Sequence, residues 1–336
     1  MISSCEIKNL GPIEHIEFED LANINLIIGK NACGKTFLLK ILYSAIRSIE
    51  EYRRGKDRRR INEIISEKLY WTFQVNHLND LVRKGSDSLS FSLTNESENE
   101  FWYKFGSSTE KIIQKVTNTF PRRDANSLFI PAKEILSLFH VVKKTRDIDR
   151  MFGFDDTYLD LVRAVEIDPM KGKNYERFSL SRKNLEKMLN GKIVFEQDEW
   201  IYKQGNSRFP IHTTSEGFRK IAIFDRLLGN RYLSPESIVF IDEPEDALHP
   251  SMISKFLEII AMLASEGIQF FISSHSYFVV KKLALLALKK KKLKILSISF
   301  EDDAINISDL RDGMPDNPII DESIRLYEQE VEMTLQ

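Results

Sequence analysis

Gly29-Lys30-Asn31-Ala32-Cys33-Gly34-Lys35-Thr36 decides how the rest of this chain is read. The apolar run Ile24-Asn25-Leu26-Ile27-Ile28 precedes it and Phe37-Leu38-Leu39-Lys40-Ile41-Leu42 follows, which predicts a buried strand, a glycine-bounded loop and a helix. In that context G-x-x-x-x-G-K-[ST] reads as a phosphate-binding loop. Its glycines allow backbone angles that turn successive N–H groups inward, and the helix N-terminus adds partial positive charge at the same place. Lys35 is placed to reach the β- and γ-phosphates of a nucleotide, and the Thr36 hydroxyl to meet Mg²⁺. The bland alternative is a glycine turn with a chance Gly-Lys-Thr, and the strand before and helix after disfavour it.

The chain has 336 residues, enough for one large or two modest domains with a sizeable core. Hydrophobic residues make up 42% and charged ones 29%, as in ordinary globular chains. The net charge is only −2, so any contact with nucleic acid has to come from a local patch. Cys5 and Cys33 are the two cysteines, which gives no disulfide framework and predicts a cytoplasmic protein. Glu6 and Lys8 interrupt any leader-like apolar run, and the apolar block 283–288 is too short to cross a bilayer. No membrane partner is expected.

Three short strands are predicted over 2–28, where Ile13, Ile16 and Phe18 alternate with polar residues. The helix after the loop runs to about Ser48. Arg53-Arg54-Gly55-Lys56-Asp57-Arg58-Arg59-Arg60 then sets six basic residues against one acid. It is either a solvated face or a patch for a phosphate backbone such as DNA. Residues 61–83 read as helix, and 88–94 with 101–105 as a hairpin whose Trp102, Tyr103 and Phe105 belong to core. Leu128-Phe129-Ile130-Pro131 is a strand ended by proline. The charged region 134–190 is helical, with breaks at Gly153, Pro169 and Gly172, and reads as an inserted lobe. A second β-region covers 192–196, 200–203 and 208–212. Residues 1–50 and 192–336 are therefore assigned to a core and 51–191 to an insert. A final helix puts Ile320, Ile324, Tyr327 and Val331 on one face, which has to pack on either the domain itself or a partner.

Ile238-Val239-Phe240-Ile241-Asp242-Glu243-Pro244 is the second strong signal. An apolar strand ending in Asp holds Mg²⁺ beside phosphates, and Glu243 is placed to polarise the attacking water. Helix capping is the plainer use of an Asp-Glu pair. Thr213-Thr214-Ser215-Glu216-Gly217 enters a helix over 218–228, where a Ser-x-Gly turn can bind an anion, although capped helix starts often look the same. His275 follows the strand 268–273, in position to contact a γ-phosphate.

The order of these four elements resembles the ABC-class ATPase head, including the SMC and OLD proteins. The resemblance implies an α/β fold: an ABC-type P-loop ATPase head with a mixed central sheet, an antiparallel β subdomain and an inserted helical lobe. It makes Gly29, Lys30, Asn31, Ala32, Cys33, Gly34, Lys35 and Thr36 the Walker A loop, and the strand ending at Asp242 Walker B. Glu243 becomes the catalytic carboxylate, Asp246 a D-loop residue and His275 the switch histidine. Ser215 and Gly217 match the signature Leu-Ser-Gly-Gly-Gln, with Thr214, Glu216 and Phe218 at the other three positions. The N-terminal strands, Glu243-Pro244-Glu245-Asp246-Ala247-Leu248-His249-Pro250, Ile130-Pro131-Ala132-Lys133-Glu134 and the tail from Leu310 to Asn317 resemble compact AAA/ABC-type ATPases of bacterial phage-defence systems such as PARIS and Septu.

These resemblances imply ATP and Mg²⁺ as cofactors, and a head-to-tail homodimer in which Ser215 seals the other copy's nucleotide. They also imply a separate effector polypeptide, since no second catalytic constellation or metal-ligand cluster stands out in the sequence. No Q-loop glutamine is placed, because Gln114 and Gln204 lie too far from the Ile130-Pro131 strand. Lys133 or Glu134 stands where it would couple. Cys33 is either redox-sensitive or a small residue that fits. The competing readings are an SMC-like DNA-repair head using 53–60, a transporter nucleotide-binding subunit and a non-hydrolysing scaffold.

Overall fold

The computed structural model describes residues 1–170, 176–301, 304–315 and 317–335. The break expected at Gly172 and the tail residue Asp316 lie outside them. Strands β1 (Ile2–Leu10) and β2 (Ile13–Phe18) form a hairpin, β3 (Ile24–Gly29) runs into the glycine loop, and α1 (Lys35–Glu51) leaves it. After α2 (Ile61–Phe73), β4 (Ser88–Asn95), β5 (Glu100–Gly106) and β6 (Lys115–Asn118) make a meander, and β7 (Leu128–Ile130) follows. Helices α3 (Phe139–Lys143), α4 (Asp156–Glu166) and α5 (Ser179–Leu189) lead to the small strands β8 (Lys192–Glu196), β9 (Glu199–Gln204) and β10 (Ser207–Pro210). The remainder alternates: α6 (Glu216–Gly229), β11 (Ile238–Asp242), α7 (Pro250–Ser265), β12 (Gln269–Ser274), α8 (Tyr277–Lys289) and β13 (Ile295–Glu301). It closes with β14 (Ala304–Asp309) and α9 (Pro318–Leu335).

The central sheet has the order β14-β13-β3-β12-β11-β7, with only β14 antiparallel to its neighbour. A five-stranded antiparallel sheet, β2-β1-β4-β5-β6, and a small one, β10-β9-β8, complete the β structure. The expected mixed central sheet and antiparallel subdomain are thus both present. Segment 51–191 supplies β4 to β6 to the sheet that β1 and β2 begin, and β7 to the edge of the central sheet. Only its helices stand outside both sheets.

The two-residue period of β3 explains the layering. Ile24, Leu26 and Ile28 join the core that holds residues of α4 to α8, whereas Ile27 joins the one formed with α1 and the antiparallel sheet. A strand buried on both faces reads as a continuous apolar run, which is why the sequence marks β3, β11 and β12 so clearly. Their register brings the functional ends together: Asp242 pairs with Ser273, Ser274 with Ile28, and Gly29 with Phe300. The glycine loop, the Asp242-Glu243 turn and the Ser274-His275 turn therefore share one sheet edge, where open α/β sheets bind ligands.

The structure differs from the expectations in places. The helix expected over 61–83 stops at Phe73, because Gln74 takes a left-handed φ of 53° and a short 3-10 turn at Leu78–Leu81 follows. Strands β6 and β14 were not anticipated; both are edge strands, β6 paired only with β5 and β14 only with β13. The α9 face is covered by its own chain only at the start: Ile320 packs on the core, while Ile324, Tyr327 and Val331 are 51%, 67% and 38% exposed. Tyr103 and Phe105 are buried, as expected of core aromatics; Trp102, expected with them, is only half-buried, because alternation along β5 turns it to the other face of the sheet.

Candidate nucleotide site

The glycine loop has the shape its sequence demands. Gly29 and Gly34 take φ values of 153° and 104°, and Ala32 adopts 63°, so the chain turns tightly between β3 and α1. A Cβ on Gly29 would come 2.9 Å from both Cys33 Sγ and Phe300 Cβ, so this position has no room for a side chain. Lys35 is buried, and its ammonium donates to the carbonyls of Gly29 (2.9 Å) and Lys30 (2.8 Å). Its charge is thereby held over the loop. Cys33 Sγ is 3.9 Å from it, and Lys30, Asn31 and Ala32 form an exposed lip.

Thr36 and Asp242 meet across 206 residues of sequence: the threonine hydroxyl donates to Asp242 Oδ2 at 3.1 Å. A hydroxyl beside a carboxylate is an all-oxygen donor pair at the mouth of the loop, and it fits a hard cation such as Mg²⁺. Ser273 also donates to Asp242 from the neighbouring strand. That residue was missed in the sequence, and its only signal was a Ser-Ser pair closing an apolar strand. Glu243 takes φ 49°, a left-handed turn that side chains usually avoid. It brings the carboxylate to His275, with Oε1 3.2 Å from Nδ1. Glu243 and His275 are 34% and 51% exposed in their side chains, so this pair faces the open side of the site.

Ser215 caps α6, accepting a hydrogen bond from the Phe218 N–H at 3.4 Å, and is exposed. No hydrogen bond joins it to 29–36 among the described residues. Gly217 instead abuts the turn after β11: an added Cβ would lie 2.4 Å from the Ala247 carbonyl. Asp246 sits in that turn, where Lys220 of α6 donates to its carbonyl at 2.9 Å. Burial lowers the Lys220 pKa against the opposing pull of Asp246, Glu216, Glu245 and Glu243. The start of α6 is thus tied through Gly217 and Lys220 to the turn that carries Asp246.

Glu134 is no free coupling residue. It accepts from Leu136 N–H and Ser137, and pairs with Arg219 of α6 at 2.8 Å. Behind the loop, Lys68 is enclosed by Asp156 (2.9 Å), Asp160 (3.1 Å) and Glu51 (3.2 Å), a cluster that locks α1, α2 and α4 together. Burial alone would raise the Asp160 carboxyl, but Lys68 and Arg47 outweigh it and hold it at about 2. Within the basic stretch, Arg59 is consumed by Asp57 and Glu67, while Arg53, Lys56, Arg58 and Arg60 are exposed. One possible metal-ligand group does occur: Glu6, His15 and Glu17, brought together by cross-strand pairing that the sequence spacing conceals. Glu6 is already paired with Lys8 and His15. No helix among the described residues is long and apolar enough to cross a membrane.

Residues 24–281 match the family described as "AAA domain, putative AbiEii toxin, Type IV TA system". The chain belongs to this AAA-domain family. The span runs from β3 into α8 and takes in the loop, the Asp242-Glu243 turn and His275. This AAA domain also shares its fold with SMC heads. One is a head bound to the C-terminal winged-helix domain of ScpA, at 12% identity, with 92% of this chain and 97% of that chain covered and a TM-score of 0.54. Another is a head with an extended coiled coil, bound to the C-terminal domain of ScpA from Pyrococcus furiosus. There the identity is 9%, the coverage 98% of each chain and the TM-score 0.53. The fold is that of an ABC-type ATPase head, and the family makes the chain a nucleotide-binding domain of the ATPase type.

Proposed function

We propose that this chain hydrolyses ATP with Mg²⁺ as a head-to-tail pair of copies, each sealing the other's nucleotide through Ser215. The observation that carries this reading is the meeting of three separate turns on one sheet edge, with Thr36 on Asp242 and Glu243 on His275. Phosphoryl transfer to water needs positioning and charge neutralisation, and these residues supply both. Lys35 exchanges the Gly29 and Lys30 carbonyls for phosphate oxygens. Thr36 and Asp242 hold Mg²⁺, which neutralises phosphate charge when bound. Glu243 orients the attacking water and takes its proton, and His275 faces the γ-phosphate. Ser215, exposed at the N-terminus of α6, is free to meet a second copy's nucleotide, and Lys220 of the same helix holds the Asp246 turn.

In this reading nucleotide closes the pair and hydrolysis opens it, in the cytoplasm. The helical part of 51–191 passes that movement to a separate effector protein, in antiphage defence. The family description names a toxin–antitoxin system, which is in keeping with a chain that works with a separate partner. Phosphate release by the purified protein tests the catalytic claim. It should require Mg²⁺ and fall at least 100-fold in Glu243→Gln; equal rates in both proteins would refute it.

A second reading is an SMC-like head that acts on DNA. It is favoured by the exposed Arg53, Lys56, Arg58 and Arg60 beside α1. Duplex binding measured against salt, with and without ATP, separates the two. A steep salt slope that flattens when these four residues are changed supports the DNA reading, and no binding at low salt removes it.

A further inference from the structure

Glu245 makes contacts that none of the roles above requires. Its side chain is 10% exposed, and Oε1 accepts from the Ser274 hydroxyl at 2.8 Å and from the His275 main-chain N–H at 3.1 Å. The same oxygen is 3.7 Å from His275 Nδ1, the ring nitrogen that stands 3.2 Å from Glu243. The Glu245 main chain meanwhile belongs to the turn carrying Asp246. Asp246 N–H donates to the Glu243 carbonyl (3.1 Å) and Leu248 N–H to the Glu245 carbonyl (3.0 Å). One residue therefore brackets the turn after β11 to the end of β12, at the point where the sheet register has stopped holding them.

The second carboxylate oxygen argues that this bracket is not there for stability. Oε2 is buried and has no hydrogen-bond partner. A half-satisfied buried carboxylate costs folding free energy, and here burial pushes the carboxyl above its usual range. A Glu that only filled a gap would be replaced at no loss by an apolar residue of similar size. What Glu245 provides is one acceptor oxygen that gathers Ser274 and the His275 main chain.

We propose that Glu245 is a positioning residue that fixes the His275 main chain so that the imidazole meets Glu243, and that links this contact to the Asp246 turn. The proposal rests on the ATPase reading above. Because Gly217 and Lys220 press on the same turn, a second copy arriving at Ser215 acts on Glu245, and through it on His275.

The test compares wild type, Glu245→Ala and Glu245→Gln in steady-state ATP hydrolysis, fluorescent ATP-analogue binding and thermal melting. Histidine ¹⁵N-labelled samples give the His275 imidazole signal, assigned with His275→Gln. Glu245→Ala should lower kcat at least tenfold while KM and analogue affinity stay within twofold, and should shift the imidazole signal. Glu245→Gln should return kcat to within threefold of wild type and leave the signal in place, because its amide oxygen accepts the same two bonds. Wild-type turnover in Glu245→Ala would overturn the proposal. So would Glu245→Gln being as slow as Glu245→Ala, or nucleotide affinity falling as far as kcat. If wild type itself does not hydrolyse ATP, the ATPase reading fails, and the imidazole signal alone still decides the positioning role. An unmoved signal in Glu245→Ala overturns that role, and a moved one supports it.

Discussion

Gly217→Ala tests whether the start of α6 and the turn after β11 work as one unit. The added Cβ would lie 2.4 Å from the Ala247 carbonyl oxygen and 2.7 Å from Leu248 Cδ2. Ordinary contact begins at 3.4 Å, so the carbonyl has to retreat by about 1 Å. Leu248 can rotate away. Ala247 cannot, because the clash is with backbone that already sits at φ 60°. Overpacking of this kind costs about 1–3 kcal/mol. For a chain of this size that lowers Tm by roughly 1–4 °C. The functional effect should be larger, because the displaced turn carries Asp246 and Glu245, and a misplacement of about 1 Å can cost on the order of 100-fold in rate. Steady-state hydrolysis should therefore drop by about 10- to 100-fold, with ATP affinity near wild type because the glycine loop is untouched. A variant that melts and turns over like wild type would refute the reasoning. Equal losses of affinity and turnover would do so as well.

Two other consequences are open to measurement. Lys68→Met leaves Asp156 and Asp160 buried with fewer counter-charges, and should cost about 3 kcal/mol, the low end of the range because Arg146 and Arg47 remain beside them. A urea midpoint equal to wild type would show that the cluster is not held by that lysine. Glu245 has a folded-state pKa above its unfolded one, so its contribution is fully present below about pH 4.3 and is lost as pH rises through the folded value. Glu245→Gln lacks that loss and should gain in Tm relative to wild type between about pH 4 and pH 7. A pH-independent difference would contradict it.

The parts of the site that the sequence revealed are those whose signal is local. The β3-loop-α1 unit and the apolar strand ending in Asp242 each carry their evidence within about a dozen residues, because a strand buried on both faces has to be continuously apolar. Hydrogen bonding across sheets leaves no such trace. Thr36 and Asp242 touch over 206 residues, and Ser273 reaches Asp242 only because β12 pairs with β11 in that register. The same limit hid the cross-strand Glu6, His15 and Glu17 group and the bracket at Glu245; β6 and β14 pair with their sequence neighbours, and were missed because an edge strand has no continuous apolar run. On α9 the periodicity was read correctly, but a helical face does not say whether its own chain covers it. Here it does so only at the first turn. Nor does the place of Glu134 after the Ile130-Pro131 strand show its partners, Ser137 and, from α6, Arg219.

Light scattering of Glu243→Gln decides whether two copies share each nucleotide. Each copy has a mass of 39.1 kDa. With Mg²⁺ and ATP the mass should rise to about twice its nucleotide-free value, and adding Ser215→Arg to the same chain should abolish the rise while leaving ATP binding intact. A mass indifferent to ATP, or a rise that survives loss of Ser215, would contradict the account.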